Sequence, residues 1–250
     1  MNSKNPMFKD MYKKVSNNEY GGNVRVLNTS SDLMTIEGTV NKSLILLTLI
    51  AISATWAYMG QKIGLAMPMA ILGLILAVVT SFKVNWAHVT APAYALCEGV
   101  VLGGISSMAE LAYPGVPVMA LLGTIGTFAA MFFAYKTKMI QVTQGFTAGM
   151  RGALMGILLI SVVSLVLSLF GVKGPMNALA GSGPIGLCFG IFCVGIASFC
   201  LILDFHNIAQ MVQTRANKQF EWYGAFGLMV TLIWLYVEIL NLLMKLRNRD

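Results

Sequence analysis

The sequence predicts an all-α integral membrane protein, a bundle of seven transmembrane helices. Of the 250 residues, 57% are hydrophobic and only 11% are charged, whereas a soluble domain carries about 25% charged residues. The apolar runs are continuous and about 20 residues long, as membrane-spanning helices require. They lack the alternation of apolar and polar residues that is typical of a membrane β-barrel. The composition therefore implies a lipid bilayer as the protein's surroundings.

Seven apolar runs follow a polar N-terminal segment. Residues 1–42 are predicted to form a polar cytoplasmic tail, and residues 43–250 a seven-helix transmembrane domain. The short connections between most runs predict antiparallel neighbours. The runs lie at 43–60, 65–82, 89–111, 116–135, 152–171, 184–205 and 222–244.

The distribution of Lys and Arg predicts the orientation of the chain. If the N-terminus lies inside, twelve of the 17 Lys and Arg residues fall in cytoplasmic segments, which the positive-inside rule favours. With seven spans the C-terminus is then outside. The net charge of +7 belongs to the ends of apolar runs and to the N-terminal tail. It therefore indicates anionic lipid and no nucleic-acid partner.

The sequence does not indicate an enzyme. The apolar runs contain no Ser–His pair, and neither HExxH nor another zinc-binding spacing occurs. The four cysteines lie within apolar runs, where they are expected to pack as small hydrophobic side chains. No tightly bound cofactor is predicted.

Glycines recur at a spacing of four within or beside the apolar runs. Such pairs allow two helix backbones to approach closely in lipid. We interpret them as packing contacts inside one bundle and not as a dimerisation signal. The pairs are Gly60/Gly64, Gly99/Gly103, Gly152/Gly156 and Gly186/Gly190.

Acidic residues are the candidate functional groups. Glu98 lies nine residues into the third run, Asp204 ends the sixth, Glu221 is at the start of the seventh and Glu238 lies deep within it. A carboxylate at membrane depth usually marks an ion or proton path. For Glu98 and Glu238 the alternative is a protonated acid hydrogen-bonded between helices. For Asp204 the alternative is an acid at a helix end on the membrane surface. Two such acids lying close together would titrate as a pair. His206 could titrate beside Asp204 or be a solvated loop residue.

Carboxylate oxygens are also the ligands that Ca²⁺ prefers. Asp204 and Glu238 are accordingly candidate weak ligands for Ca²⁺. The expected permeant or regulatory ion is Ca²⁺ or H⁺.

Two motifs resemble the Bax-inhibitor family, also called the transmembrane Bax inhibitor motif family. The segment from Leu235 to Arg247 reads LYVEILNLLMKLR and is similar to that family's last-helix signature. The segment from Leu201 to Ile208, LILDFHNI, is similar to the motif that ends its penultimate helix. The string EWYGAFGLMVTLIWLYVEIL resembles a bacterial branch. The resemblance is sharp over the last fifty residues or so.

The resemblance implies a bundle with the last helix at its centre and a pH-sensitive carboxylate latch, here Asp204 and Glu238. It also implies Ca²⁺ leak across a bacterial inner (cell) membrane and, as a partner, a membrane-bound AAA protease. This chain departs from the family pattern because Glu replaces Asp at position 238 and the motifs lie further apart.

The depths of the acids leave the partner of Asp204 open. Asp204 and Glu238 can meet only if the sixth helix continues past Asn207 and the seventh enters the membrane late, because each helical residue advances about 1.5 Å. Otherwise Glu221 is the closer partner in depth, and Glu98 lies between the two levels. The resemblance favours Asp204 with Glu238.

Two functions are therefore expected as alternatives. The first is a pH-sensitive cation (Ca²⁺) leak channel gated by the carboxylate pair. The second is a non-conducting membrane regulator that binds a membrane-anchored protease or a stress-response complex, with the polar tail as the segment that the protease grips.

Overall fold

The computed structural model describes residues 33–170, 179 and 181–248. Within that part of the chain, seven helices are long and apolar enough to cross a membrane, which confirms the predicted fold class. Residues 1–32, and with them most of the predicted polar tail, lie outside the described residues. In chain order the helices are α1 (Ile36–Met59), α2 (Ile63–Phe82), α3 (Ala87–Ala112), α4 (Val116–Lys136), α5 (Gln144–Leu169), α6 (Pro184–Gln213) and α7 (Phe220–Arg247).

Three helices extend beyond the apolar runs that predicted them. Helix α1 begins at Ile36 and not at residue 43, so residues 36–42 of the predicted tail are helical. Helix α5 begins at Gln144 instead of residue 152, and α6 continues to Gln213 instead of ending at residue 205. A hydropathy run shows where a helix can face lipid, but the helix itself can continue through the polar residues on either side of that run.

N-cap side chains explain the two early starts. The Thr35 side chain accepts a hydrogen bond from the Gly38 backbone N–H at 2.9 Å. The Thr143 side chain accepts one from the Phe146 backbone N–H at 3.1 Å. Each bond satisfies an N–H group that has no partner within the first turn of its helix.

Helix α7 lies at the centre of the bundle, as the resemblance implied. It packs against α1, α3, α4 and α6. Its buried side chains belong to two apolar clusters, one shared with α1 and α3 and the other shared with α3, α4 and α6. Helices α2 and α5 bury little of their surface. Apolar side chains exposed on these outer helices suit contact with lipid tails.

The start of α1 and the start of α7 lie at the same end of the bundle. Leu33 and Asn217 form an isolated antiparallel β-bridge. Next to it, the Met34 backbone N–H donates to the Ala216 carbonyl at 2.8 Å. These contacts join the segment before α1 to the loop between α6 and α7. We call this end the Glu221 end and the opposite one, where α7 finishes, the Lys245 end.

Gly99 and Gly103 on α3 allow α1 to approach closely. A methyl group on Gly103 would lie only 2.3 Å from the Ala54 carbonyl oxygen, and one on Gly99 would lie 2.7 Å from the Ile50 carbonyl oxygen. Both distances are far below van der Waals contact with backbone atoms that cannot move aside easily. The predicted packing role of this pair is confirmed.

The predicted packing role is wrong for Gly152 and Gly156. A methyl group at either position would meet nothing within 4 Å in the described structure. The spacing of four is therefore not sufficient for a close contact. It produces one only where a second helix crosses at that point, and the sequence does not specify the crossing.

Replacing Gly103 with Ala should destabilise the protein by about 2 kcal/mol, because inserting a methyl group into a packed contact costs of that order. The matched control is Gly152→Ala, which should be neutral or stabilising because the site is open and Ala favours helix. Thermal unfolding of the detergent-solubilised variants measures both effects. Equal midpoints for the two variants would contradict the packing difference.

Candidate functional site

Three carboxylates lie along α6 and α7. Glu221 is in the first turn of α7, and Glu238 follows 17 residues later on the same helix. That separation corresponds to about 25 Å along the helix axis. Asp204 lies on α6, which packs against α7. The three groups have different surroundings.

Glu221 is held by the start of α1. Its side chain is almost fully buried and forms an ion pair with Lys42 Nζ. Its Oε1 atom accepts hydrogen bonds from the Thr35 backbone N–H at 2.9 Å and from the Thr35 hydroxyl at 3.0 Å. A methyl group on Gly38 would lie 2.3 Å from Glu221 Oε1. We call Thr35, Gly38, Lys42 and Glu221 the Glu221 clasp.

The clasp differs from the sequence expectation. Glu221 was the alternative partner for Asp204, yet its carboxylate is occupied by Thr35 and Lys42. Sequence analysis missed both partners because they fall in the stretch assigned to the polar tail. Their spacing of seven residues, two helical turns, was the available signal, since it places them on one face of a helix.

Asp204 lines a cavity of about 390 Å³ between α2, α6 and α7, which we call the Asp204 cavity. The Thr231 side chain interacts with the Asp204 carboxylate. However, Oδ2 of Asp204 is buried and has no hydrogen-bond partner in the described part of the chain. Buried polar atoms normally have a partner, so such an atom requires an explanation. The other polar residues lining the cavity are Ser81, Asn207 and Tyr223.

Glu238 lines a second cavity, of about 460 Å³, at the Lys245 end. Trp234 Nε1 donates a hydrogen bond to Glu238 Oε1 at 3.0 Å. Lys245 also lines this Glu238 cavity, and its Nζ atom donates to the Leu179 and Gly186 carbonyls, each at 3.1 Å. Lys245 is therefore fixed to backbone carbonyls beside the acid.

Further polar side chains complete the wall of the Glu238 cavity. The Tyr113 hydroxyl donates to Asn248 Oδ1 at 3.0 Å, and Asn248 Nδ2 donates to Ser182 Oγ at 2.9 Å. Asn241 also lines the cavity, one helical turn beyond Glu238. The cavity is thus rich in neutral oxygen and nitrogen groups around one carboxylate.

Asp204 and Glu238 do not form a contacting pair in the structure. They line different cavities. Thr231, which lies beside Asp204, precedes Glu238 by seven residues, or about 10 Å along α7. Leu201 and Leu235 occupy the level between them and are fully buried.

The helix bounds give the reason for this separation. Helix α6 does continue past Asn207, as a pairing requires, and it runs nine residues beyond Asp204. Glu238, however, lies 18 residues after the start of α7. The two acids would be level only if α7 began about nine residues later, since both helices rise by about 1.5 Å per residue.

The remaining predicted residues, Glu98 and His206, line neither cavity. Glu98 points toward α2, where a methyl group on Gly73 would lie 3.0 Å from its Oε1 atom, and Tyr94 interacts with its carboxyl group. His206 follows Asp204 by two residues on α6. A step of two residues rotates a helical side chain by about 200°, so the two point in different directions.

No group of three His, Cys, Asp or Glu side chains comes together among the described residues. A Ca²⁺ ion at Asp204 would therefore depend on neutral oxygens as well. The Asp204 cavity offers the Asn207 amide and the hydroxyls of Ser81, Tyr223 and Thr231. Carbonyl, carboxylate and water oxygens are the usual calcium ligands.

A comparison with protein families shows which family this chain belongs to. A family model described as Bax inhibitor 1 like matches residues 5–248. The chain belongs to this family. Searches of curated proteins and of solved structures found no match. The resemblance found in the last two apolar runs of this Bax inhibitor 1 like protein thus extends over nearly the whole chain.

Replacing Lys42 with Met should destabilise this Bax inhibitor 1 like protein by about 3 kcal/mol, because it leaves the Glu221 carboxylate buried without a counter-charge. The double variant Lys42→Met/Glu221→Gln should recover part of the loss, since no uncompensated charge remains. The free energy of unfolding in detergent is measured for the wild type, the single variant and the double variant. Lys136→Met is the matched control, because Lys136 is exposed at the end of α4 and forms no ion pair within the described residues. A loss no larger than that of the control would show that the clasp contributes little.

Proposed function

We propose that this Bax inhibitor 1 like membrane protein is a pH-sensitive leak channel for cations such as Ca²⁺, with Asp204 as an ion-binding group. The observation that supports the proposal most strongly is the buried Oδ2 atom of Asp204, which lacks a hydrogen-bond partner in the described chain. A carboxylate oxygen kept without a partner inside a membrane bundle is costly. Binding a cation or a proton there would offset that cost.

The Asp204 cavity has the chemistry that such binding needs. A cation would be attracted by the carboxylate and would replace its water shell with hydroxyl and amide oxygens from Ser81, Asn207 and Thr231. A proton would compete for the same carboxylate and cancel its charge. Proton and cation binding are therefore linked at one group, which makes the leak sensitive to pH.

Glu238 would serve as a second station on the same path. It lies in a polar cavity at the Lys245 end, separated from Asp204 by buried apolar residues that include Leu201 and Leu235. In this arrangement the path is closed, because an ion cannot cross that apolar level without losing its ligands. Conduction requires α6 and α7 to shift relative to each other. In this proposal, the two acids of the predicted carboxylate latch, Asp204 and Glu238, lie on opposite sides of an apolar gate.

In the orientation proposed for this channel, the Glu221 end lies on the cytoplasmic side of a bacterial inner membrane. The loops and helix ends on that side contain Lys83, Lys136, Lys138, Arg215 and Lys218. Short basic loops favour the cytoplasmic side. The Asp204 cavity would then be nearer the inner side and the Glu238 cavity nearer the outer side.

Asp204→Asn should abolish the pH dependence of Ca²⁺ flux in proteoliposomes. Asn has the shape of a protonated Asp, so its flux should be flat against pH and equal to the wild-type flux at the acid limit. Glu238→Gln should alter the flux above the acid limit, because it removes a negative charge from the second cavity. Ca²⁺ entry is measured with a trapped indicator at several pH values. Glu37→Gln is the matched control, since Glu37 is exposed in the first turn of α1 and lines neither cavity.

Two outcomes would contradict the proposal. Flux unchanged by both substitutions would exclude the two acids and direct attention to Glu98. Absence of flux from folded wild-type protein at all pH values would exclude a channel. The alternative is then a non-conducting regulator that binds a membrane protease, which deletion of residues 1–32 would test. That deletion keeps Leu33 and Met34, which contact the loop after α6.

A further inference from the structure

A third cavity, of about 390 Å³, lies at the Glu221 end of the bundle. It is formed where α3 and α7 begin, beside the first turns of α1. It shares no lining residue with the Asp204 cavity or the Glu238 cavity. We call it the Lys218 cavity, and its polar and aromatic lining residues are Lys42, Asn85, His88, Lys218, Gln219 and Trp222.

Apart from Val84, every residue that lines the Lys218 cavity has a side chain able to donate a hydrogen bond, and none of them is a carboxylate. The charge of Lys42 is shared with Glu221, which forms the ion pair of the clasp. Lys218 is exposed and has no ion-pair partner among the described residues, so its charge is uncompensated. The amides of Asn85 and Gln219 supply further N–H groups. An anion with several acceptor oxygens matches this set.

His88 contributes a defined tautomer. Its Nδ1 atom lies 2.9 Å from the Asn85 carbonyl oxygen. A carbonyl oxygen can only accept a hydrogen bond, so Nδ1 must carry the proton and donate. In the neutral ring the Nε2 atom is then a hydrogen-bond acceptor without a partner in the described chain, so it can accept from a hydroxyl group of a ligand. The ring is held in place by Asn85 while its other nitrogen stays available.

Tryptophan residues place the Lys218 cavity at the membrane surface. Lys42 Nζ lies 5.4 Å from the centre of the Trp222 ring, and Lys83 Nζ lies 4.6 Å from that of Trp86. Trp rings concentrate at the level of lipid headgroups, and basic side chains beside them attract anionic lipid. The cavity is therefore at the depth where lipid phosphates lie.

We propose that the Lys218 cavity binds the phosphate of an anionic lipid headgroup. The phosphate oxygens accept hydrogen bonds from Lys218, Lys42 and the two amides, and the acyl chains lie along the exposed apolar side chains of α2. The site is independent of the cation leak, because it shares no residue with the Asp204 and Glu238 cavities. A lipid bound there would bridge the starts of α1, α3 and α7.

Native mass spectrometry of the full chain in detergent micelles tests this site. The protein is titrated with phosphatidylglycerol, and bound lipids are counted. Wild type should retain one tightly bound lipid, and Lys218→Gln should weaken that binding about tenfold, as expected for loss of one charge-assisted hydrogen bond. His88→Gln is a second variant in the cavity wall. Arg215→Gln is the matched control, because Arg215 is an exposed cation on the same loop and does not line the cavity.

The comparison of ligands separates the possible sources of phosphate. Phosphatidylglycerol should bind more tightly than zwitterionic phosphatidylcholine, and soluble glycerol phosphate should not displace it. Equal weakening by Lys218→Gln and Arg215→Gln would overturn the proposal, since the attraction would then be general surface charge. Binding unaffected by Lys218→Gln and His88→Gln would overturn it as well. A saturable site for glycerol phosphate, with no lipid bound, would exclude the lipid as the ligand.

Discussion

The ion pair between Glu221 and Lys42 is the interaction on which the arrangement of the bundle depends. A buried carboxylate is tolerated only when it is paired and hydrogen-bonded, because its loss of hydration is otherwise uncompensated. Thr35 and Lys42 meet that need from two successive turns at the start of α1. The requirement fixes where α1 begins and which face it turns to α7. It also explains Gly38, whose missing side chain leaves room for the carboxylate.

Asp204 is also a buried carboxylate, but its surroundings differ from those of Glu221. It lies about a third of the length of α7 away from the clasp, has no charged partner among the residues that line its cavity, and keeps one oxygen without a partner in the described chain. A purely structural acid would be expected to gain the kind of partners that Glu221 has. The contrast between the two acids, in one molecule and on adjacent helices, is the reason for assigning a structural role to one and an ionic role to the other.

The sequence predicted the helices well because continuous apolar runs of membrane-spanning length have few alternative structures in lipid. It also singled out the last two helices, because their motifs are specific to the family. It could not give the partner of Glu221, since Lys42 is 179 residues away and stood at the edge of an apolar run. The same limit applies to Asp204 and Glu238, whose relative depth depends on where α6 ends and α7 begins. Polar residues set those two bounds, and hydropathy does not detect them.

The distance in sequence between Lys42 and Glu221 also has a consequence for how the protein is made. Of the seven helices, α1 leaves the ribosome first and α7 last. The ion pair of Lys42 therefore cannot form until 179 further residues have been synthesised. During that interval α1 can be held in the bilayer by its apolar face but lacks its contacts with α7. The contacts between α1 and α7 can therefore form only after the other five helices have been synthesised. A chain stopped before Glu221 would keep the close packing of α1 against α3, but Thr35 and Lys42 would lack the carboxylate that they bind.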